Sequence, residues 1–289
     1  MSVTALVQSG GGAKGAYQVG VCWQWLHEEE RHYDINAGTS IGAINSLKLV
    51  QHPKGEEKAA WKGLHDIWLG VSTPDVYKRW FPFGMLHALW QPALYNSAPL
   101  RGLIEAHYSR DRVLQSGKRL LMGTVSLDSG VYKLFDETTE DLVSAVLASA
   151  SYPVFLLPIR IDGELYSDGG IRTVTPLRAA IEAGATEVDV IMTQTYPAAW
   201  SPLENPNGPD VFQRMISIMM NEIVENDLKL AIRHNERIAR GAGDPGKRFV
   251  KIRVVRPDRS LGCSSLDFDP EKIRSMILRG KEDAANAGA

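Results

Sequence analysis

The segment Ala37-Gly38-Thr39-Ser40-Ile41-Gly42-Ala43-Ile44-Asn45 constrains the fold more than any other stretch of the chain. It reads as a short strand, Tyr33 to Ala37, running straight into a helix of small and apolar residues, with Gly38-x-Ser40-x-Gly42 at the bend. Glycines on either side of such a bend tolerate a strained backbone and leave room for a substrate carbonyl, so the serine between them can stand out at the sheet edge. The first turn of the helix that follows offers free N–H groups, which favour developing negative charge. Ser40 is therefore a candidate nucleophile. The simpler alternative is a tight turn in which Ser40 only caps the helix.

What precedes the bend agrees with an α/β fold. Thr4 to Gln8 is a short apolar run of the buried-strand kind, and it ends in Ser9-Gly10-Gly11-Gly12-Ala13-Lys14-Gly15. From Ala16 to about Glu30, Val19, Cys22, Trp23 and Leu26 recur at helical spacing. Strand, glycine loop, helix and second strand make a βαβ crossover. Farther along, the patterns predict helices over 56–69, 100–108, 141–150, 177–183, 210–240 and 270–278, and a frayed tail from Gly280. Strands are predicted over 119–126, 131–135, 165–167, 187–193 and 248–255. The stretch 71–99 is different in kind. Trp80, Phe81, Phe83, Met85, Leu86, Leu89, Trp90, Leu94 and Tyr95 are broken there by Pro74, Pro82, Pro92 and Pro99. This predicts a cap of short helices and turns over the site, whose apolar side chains either meet lipid or pack an inserted subdomain. No repeat or linker divides the chain, so residues 1–289 are expected to form a single domain.

Charge and cysteine content exclude several function classes. With 32 basic and 34 acidic side chains and no run of like charge, there is no electrostatic footprint for nucleic acid and no polybasic anchor. Cys22 and Cys263 lie far apart in a chain too large to need stapling, as expected of free thiols in a reducing compartment. The N-terminal residues lack a basic region and an apolar run of signal-peptide length, and no stretch approaches the roughly 20 apolar residues of a membrane span. A soluble cytoplasmic protein is the expectation, with peripheral membrane contact or export by a signal-independent route left open.

Gly10-x-Gly12-x-x-Gly15 matches the dinucleotide fingerprint in form, but that fingerprint needs an acid at the C-terminal end of the second strand. Here that end is Gly38-Thr39-Ser40, and Asp34 lies at the other. A P-loop fails too, because Ala16-Tyr17 stands where lysine and a hydroxyl residue are required. Beside a nucleophile on the adjacent strand, the loop amides could instead bind the oxyanion of an acyl-transfer intermediate. A serine also needs a base. His27, His32, His52, His65, His87 and His107 all precede Asp168, outside any glycine-rich or strand-end context, and His234 falls within a predicted charged helix. Asp168, in the glycine turn Asp168-Gly169-Gly170 at a strand end, is the better candidate, provided that it is partly desolvated. An earlier histidine brought in by the fold, or a turn with no chemistry, are the alternatives.

Taken together and in this order, the motifs resemble those of the bacterial patatin-like phospholipases. Gly10-Gly11-Gly12-Ala13-Lys14-Gly15 resembles the family's oxyanion loop, Gly38-Thr39-Ser40-Ile41-Gly42 its nucleophile elbow, and Asp168-Gly169-Gly170 its Asp-Gly-Gly/Ala motif. The approach Ala148-Ser149-Ala150-Ser151-Tyr152-Pro153, then Asp162-Gly163-x-x-Tyr166-x-Asp168, is similar as well, and the likeness spans about 3–190. The resemblance implies a three-layer α/β/α sandwich with a central, mostly parallel sheet. It implies hydrolysis of fatty acyl esters, as in a phospholipase A or lysophospholipase, by a serine/aspartate dyad without histidine, metal or organic cofactor. Carried over by position, Ser40 attacks the acyl carbonyl, Asp168 takes its proton, and Gly11 and Gly12 with neighbouring loop amides hold the oxyanion. The expected partner is a lipid or membrane-surface substrate. Acyl transfer to an alcohol, or a catalytically silent lipid-binding module, are the competing outcomes.

Overall fold

The computed structural model describes residues 2–81, 88, 90–196, 203–243, 246 and 248–287. Phe83, Met85, Leu86 and Leu89 of the expected cap, His87, and residues 197–202 lie outside them.

In chain order the elements are β1 (Thr4–Gln8), α1 (Gly15–Cys22, continued by a π-helical turn over Trp23–Glu28), β2 (Ile35–Thr39), α2 (Ile41–Leu49), α3 (Glu57–Gly70) and α4 (Thr73–Val76). Then come α5 (Ala98–His107), α6 (Arg110–Gln115), β3 (Arg119–Ser126), β4 (Tyr132–Asp136), α7 (Leu142–Ser149), β5 (Ile159–Ile161) and β6 (Glu164–Asp168). The chain continues through α8 (Leu177–Glu182), β7 (Glu187–Ile191), α9 (Gly208–Ala239), β8 (Lys251–Val255) and α10 (Pro270–Ala287).

All strands join one eight-stranded sheet in the order β5-β6-β3-β2-β1-β7-β8, with β4 also paired to β3. β3, β2, β1, β7 and β8 run parallel, whereas β4 and β6 each pair antiparallel with β3 and β5 pairs antiparallel with β6. A parallel sheet must be covered on both faces, and strand alternation divides its side chains accordingly. Ala5, Val7, Ile35, Ala37 and Val190 pack toward Leu177 and Ala180 of α8 and Val224 and Leu228 of α9. Leu6, Leu120, Met122 and Ile191 face the opposite way, toward α1, α2, α3 and α10. The result is an α/β sandwich of three layers.

The C-terminal segment departs from expectation. α10 runs without a break through Gly280 to Ala287, where the sequence reading ends the helix at 278. A Cβ on Gly280 would lie 2.2 Å from the Tyr17 carbonyl oxygen, and one on Gly20 would lie 2.0 Å from that of Ile277. The two glycines are thus the point at which α1 and α10 touch backbone to backbone. Tyr17, which donates to Asp283 at 2.9 Å, ties the same crossing. A residue that reads as a helix breaker in isolation is here selected by close approach.

Candidate active site

Strands β2 and β6 meet end to end along one edge of β3. Leu121 pairs with Ala37 on that edge and with Asp136 of β4 on the other, while Thr124 pairs likewise with Asp168 and Lys133. Thr39, the last residue of β2, sits opposite Gly123, and Asp168, the last of β6, sits opposite Thr124. Two strands of opposite direction thus finish at neighbouring positions of a third, and this brings residues 40 and 168 together. β2 extends two residues beyond the predicted strand, so the bend falls on Ser40 itself.

Ser40 adopts φ 59° and ψ −128°, a conformation that costs a side-chain-bearing residue about 1–3 kcal/mol. Its surroundings hold it there. Ser40 N–H donates to Ser149 Oγ at 3.0 Å, and that hydroxyl donates to the Gly123 carbonyl at 2.7 Å. The flanking glycines are required by space: a Cβ on Gly38 would lie 2.2 Å from the Gly42 carbonyl, and one on Gly42 would lie 2.2 Å from the Gln8 carbonyl oxygen. Ser40 occupies the N-cap position of α2, yet its hydroxyl makes no capping bond. The hydroxyl is left for something else, which removes the simple-cap alternative.

Asp168 is wholly buried. Its Oδ1 accepts from Gly170 N–H at 2.8 Å, closing the glycine turn, but Oδ2 has no well-aligned hydrogen-bond partner among the described residues. A structural turn accounts for one oxygen and leaves the other unexplained. Burial pushes the carboxyl up to about 6, and the neighbouring Ser40 hydroxyl and Gly170 N–H offset part of that by favouring the charged form. A hydroxyl close to a carboxylate without ideal alignment is common where the bond tightens only once a ligand is bound. The strand end is fixed by Ser151, whose carbonyl accepts from Asp168 N–H at 3.2 Å and from Ser167 Oγ at 2.8 Å.

The glycine loop leaves few amides free. Gly10 N–H donates to Val174, Ala13 N–H to Ser265, Lys14 N–H to Gly11, and Gly15 N–H turns back onto Gly12 and Ala13. Gly11 and Gly12 line a cavity beside Ser40 and Ile41, and among the described residues their N–H groups take no backbone acceptor. A polar network under the loop fixes it against α2. Gln18 donates to the Ser9 carbonyl at 2.7 Å, Asn45 donates to Gln18 at 2.8 Å, and Trp68 donates to Asn45 at 2.9 Å. From β7, Thr193 Oγ1 reaches the Gly10 carbonyl at 2.7 Å. Ser149, Gln18, Asn45 and Thr193 carried no role in the sequence reading. The available signal was a lone side-chain amide in each of α1 and α2, two helices rich in small and apolar residues.

The cavity has a volume of about 130 Å³ and is walled mainly by apolar side chains, among them Ile44, Leu64, Ile67, Trp68, Leu100 and Ile104. It follows α2 from Ser40 to Lys48, a span of roughly 12 Å at the helical rise, and reaches Gln51 just beyond the helix. Beside it, Tyr152, Phe155 and Leu156 pack with Tyr77 and Tyr95 from the 71–99 excursion and with Ile216 and Met220 of α9, and Tyr152, Leu156 and Met220 are among the lining residues. Most histidines are engaged with carboxylates elsewhere: His27 with Glu28, His32 with Asp34 and Glu57, His52 with Glu56, and His65 with Asp66. His107 lines the cavity together with Lys48 and Gln51. No imidazole is among the groups that shift Asp168.

Compared with protein-family models, residues 6–181 match the patatin family, described as patatin-like phospholipase. This chain belongs to the patatin-like phospholipase family. Ser40, Asp168 and the glycine loop all fall within the matched residues, whereas α9, β8 and α10 lie beyond them. Among curated proteins, the chain is 25% identical over 281 residues to the uncharacterized protein YjjU of Escherichia coli K12, covering 90% of this chain and 71% of that one. It is 29% identical over 181 residues to the uncharacterized protein R571 of Acanthamoeba polyphaga mimivirus, covering 57% of each. Solved structures similar to this patatin-like chain include VipD from Legionella pneumophila, with TM-score 0.48 and 12% identity, covering 99% of this chain and 67% of that one. The type III effector ExoU is similar with TM-score 0.45 and 14% identity, covering 99% and 52%.

Proposed function

We propose that this chain hydrolyses fatty acyl esters of lipids through a Ser40 acyl-enzyme, with Asp168 as the general base. The reading rests chiefly on Asp168, a carboxylate buried beside a strained serine, with one oxygen unpaired and its pKa raised to about 6. Such a group is ionised at neutral pH and still basic enough to take a proton. Ser40 Oγ adds to the acyl carbonyl while Asp168 takes the hydroxyl proton. The Gly11 and Gly12 N–H groups receive the oxyanion, where one such donor is typically worth about 10² to 10³ in rate. The C–O bond to the alcohol then breaks, and the alcohol leaves with the proton from Asp168. Water, deprotonated by Asp168, attacks the acyl-enzyme. Collapse releases the fatty acid, and Ser40 Oγ recovers its proton from Asp168. The acyl chain occupies the apolar cavity along α2, and family membership supports lipids as the substrate class.

Ser40→Ala and Asp168→Asn are each expected to lower release of fatty acid from p-nitrophenyl and phospholipid esters by roughly 10³-fold or more, with circular dichroism unchanged. A fluorophosphonate probe is expected to label the wild type and not Ser40→Ala. Near-normal turnover by either variant would overturn the dyad, and an unlabelled, inactive wild type would point to a silent lipid-binding module.

A further inference from the structure

The cavity at Ser40 changes character along its length. Its middle is walled by Ile44, Leu64 and Ile104, but the end remote from Ser40 is lined by Lys48, Gln51 and His107. Lys48 lies about two turns beyond Ser40 on α2, so the basic end is roughly 12 Å from the serine. Gln51, just past the helix, brings the end of α5 alongside. It donates to the His107 carbonyl at 3.1 Å and accepts from Ser109 N–H at 2.8 Å.

Two further basic groups stand behind this end. His52 is buried, with Nδ1 3.0 Å from Glu56 and 3.5 Å from the Arg112 guanidinium. A Cβ on Gly63 of α3 would lie 3.5 Å from Lys48 Nζ and 4.0 Å from His52 Nε2, so the ammonium and the imidazole border one spot on that helix. Positive groups outnumber negative ones here. Burial lowers the pKa of Lys48 and the Arg112 guanidinium lowers it further. Burial lowers that of His107 as well, with Lys48 adding to it. At His52, burial, Arg112 and Lys48 act in one direction and Glu56 in the other. Glu56 is engaged by His52, and Lys48 has no hydrogen bond or ion pair among the described residues.

We propose that the cavity accepts an acyl chain of about eight to ten carbons ending in a carboxylate, which pairs with Lys48. This rests on the Ser40 hydrolase reading and specifies the acyl group it takes. An extended chain of that length spans the distance from Ser40 to Lys48 along α2. A plain hydrocarbon chain would set its methyl end against the ammonium, removing water from a charge without pairing it. A carboxylate there forms a charge-assisted hydrogen bond in a partly buried place, where salt screens it less than at the surface, and Arg112, His52 and His107 add positive potential. The site thereby discriminates by the far end of the acyl chain.

The p-nitrophenyl monoesters of nonanedioic and nonanoic acid differ only at that end. At pH 7.5 the wild type is expected to hydrolyse the nonanedioate ester with kcat/KM roughly tenfold above that of the nonanoate ester, chiefly through KM. Lys48→Met is expected to invert the order, slowing the first and speeding the second, whereas Lys48→Arg keeps it. Arg112→Gln, an exposed change outside the cavity lining, is expected to shrink the preference several-fold. In a Ser40→Ala background, calorimetric titration is expected to show nonanedioate binding roughly tenfold tighter than nonanoate, a difference that Lys48→Met removes. Nonanoate bound as tightly as nonanedioate, or a preference for the dicarboxylate that survives Lys48→Met, would overturn the proposal. Tighter binding of nonanedioate with no turnover of either ester by the wild type would refute the hydrolase reading alone.

Discussion

Asp168 is the residue at which stability and proposed activity pull in opposite directions. Its carboxyl titrates near 6 in the fold, against about 3.9 in an unfolded chain, because burial penalises the anion. The folded state therefore holds the proton more tightly between these values, and its relative stability falls as pH rises through that window. Above pH 6 the buried anion costs the fold roughly 3 kcal/mol. Asp168→Asn is expected to raise the melting temperature at pH 7.5 and to have little effect at pH 4, as read by differential scanning calorimetry. In the wild type, kcat/KM is expected to fall on the acid side with an apparent pKa of about 6. A variant less stable than wild type at pH 7.5 would contradict the assignment of the shift to burial. The identity of this carboxylate was legible from a glycine turn at a strand end. Its desolvation was only a requirement there, since no local pattern reports that Asp168 pairs with β3 and with the Ser151 carbonyl and is wholly buried.

At the scale of elements, the site is an outcome of strand register. Gly38-x-Ser40-x-Gly42 announces a bend in any α/β unit, and the Asp168 turn announces another, but their meeting depends on β2 and β6 sharing one edge of β3. Pairing between strands so far apart in sequence leaves no local trace. Helix packing gave the converse error. Periodicity ends α10 near Leu278 because Gly280 and the small residues after it resemble a frayed tail, whereas the crossing with Gly20 makes that glycine the tightest point of contact. Gly280→Val is expected to destabilise by about 2 to 3 kcal/mol in urea unfolding, since its Cβ must displace the α1 backbone rather than a side chain. A loss below about 0.5 kcal/mol, the usual range of a surface substitution, would mean that the two helices separate easily.

Across the whole molecule, apolar surface is concentrated where the proposed reaction needs it. Val211, Phe212, Met215, Ile218 and Met219 form an exposed stripe on the N-terminal half of α9, with Met219 61% exposed. The 71–99 excursion adds Phe81 and Trp90, 89% and 79% exposed. The Phe212 ring also lies tilted against Phe155 at 6.3 Å, and Phe155 packs with Tyr152 and Leu156 of the apolar cavity's lining. No helix among the described residues is long and apolar enough to cross a membrane. Met219→Glu is expected to slow turnover of phospholipid in vesicles several-fold relative to a dispersed short-chain ester, as measured by fatty-acid release from both. An equal effect on the two would assign Met219 to packing instead. The amino-acid sequence by itself determined the α/β class, the serine bend, the glycine loop and the aspartate turn, because each depends on backbone conformation and side-chain period within a few residues. Only the tertiary structure decided that the serine and the carboxylate meet, that two amides of the loop take no backbone acceptor among the described residues, and that an apolar cavity lies beside them. Those properties arise from burial and register between segments separated by a hundred residues or more, where local chemistry exerts no control.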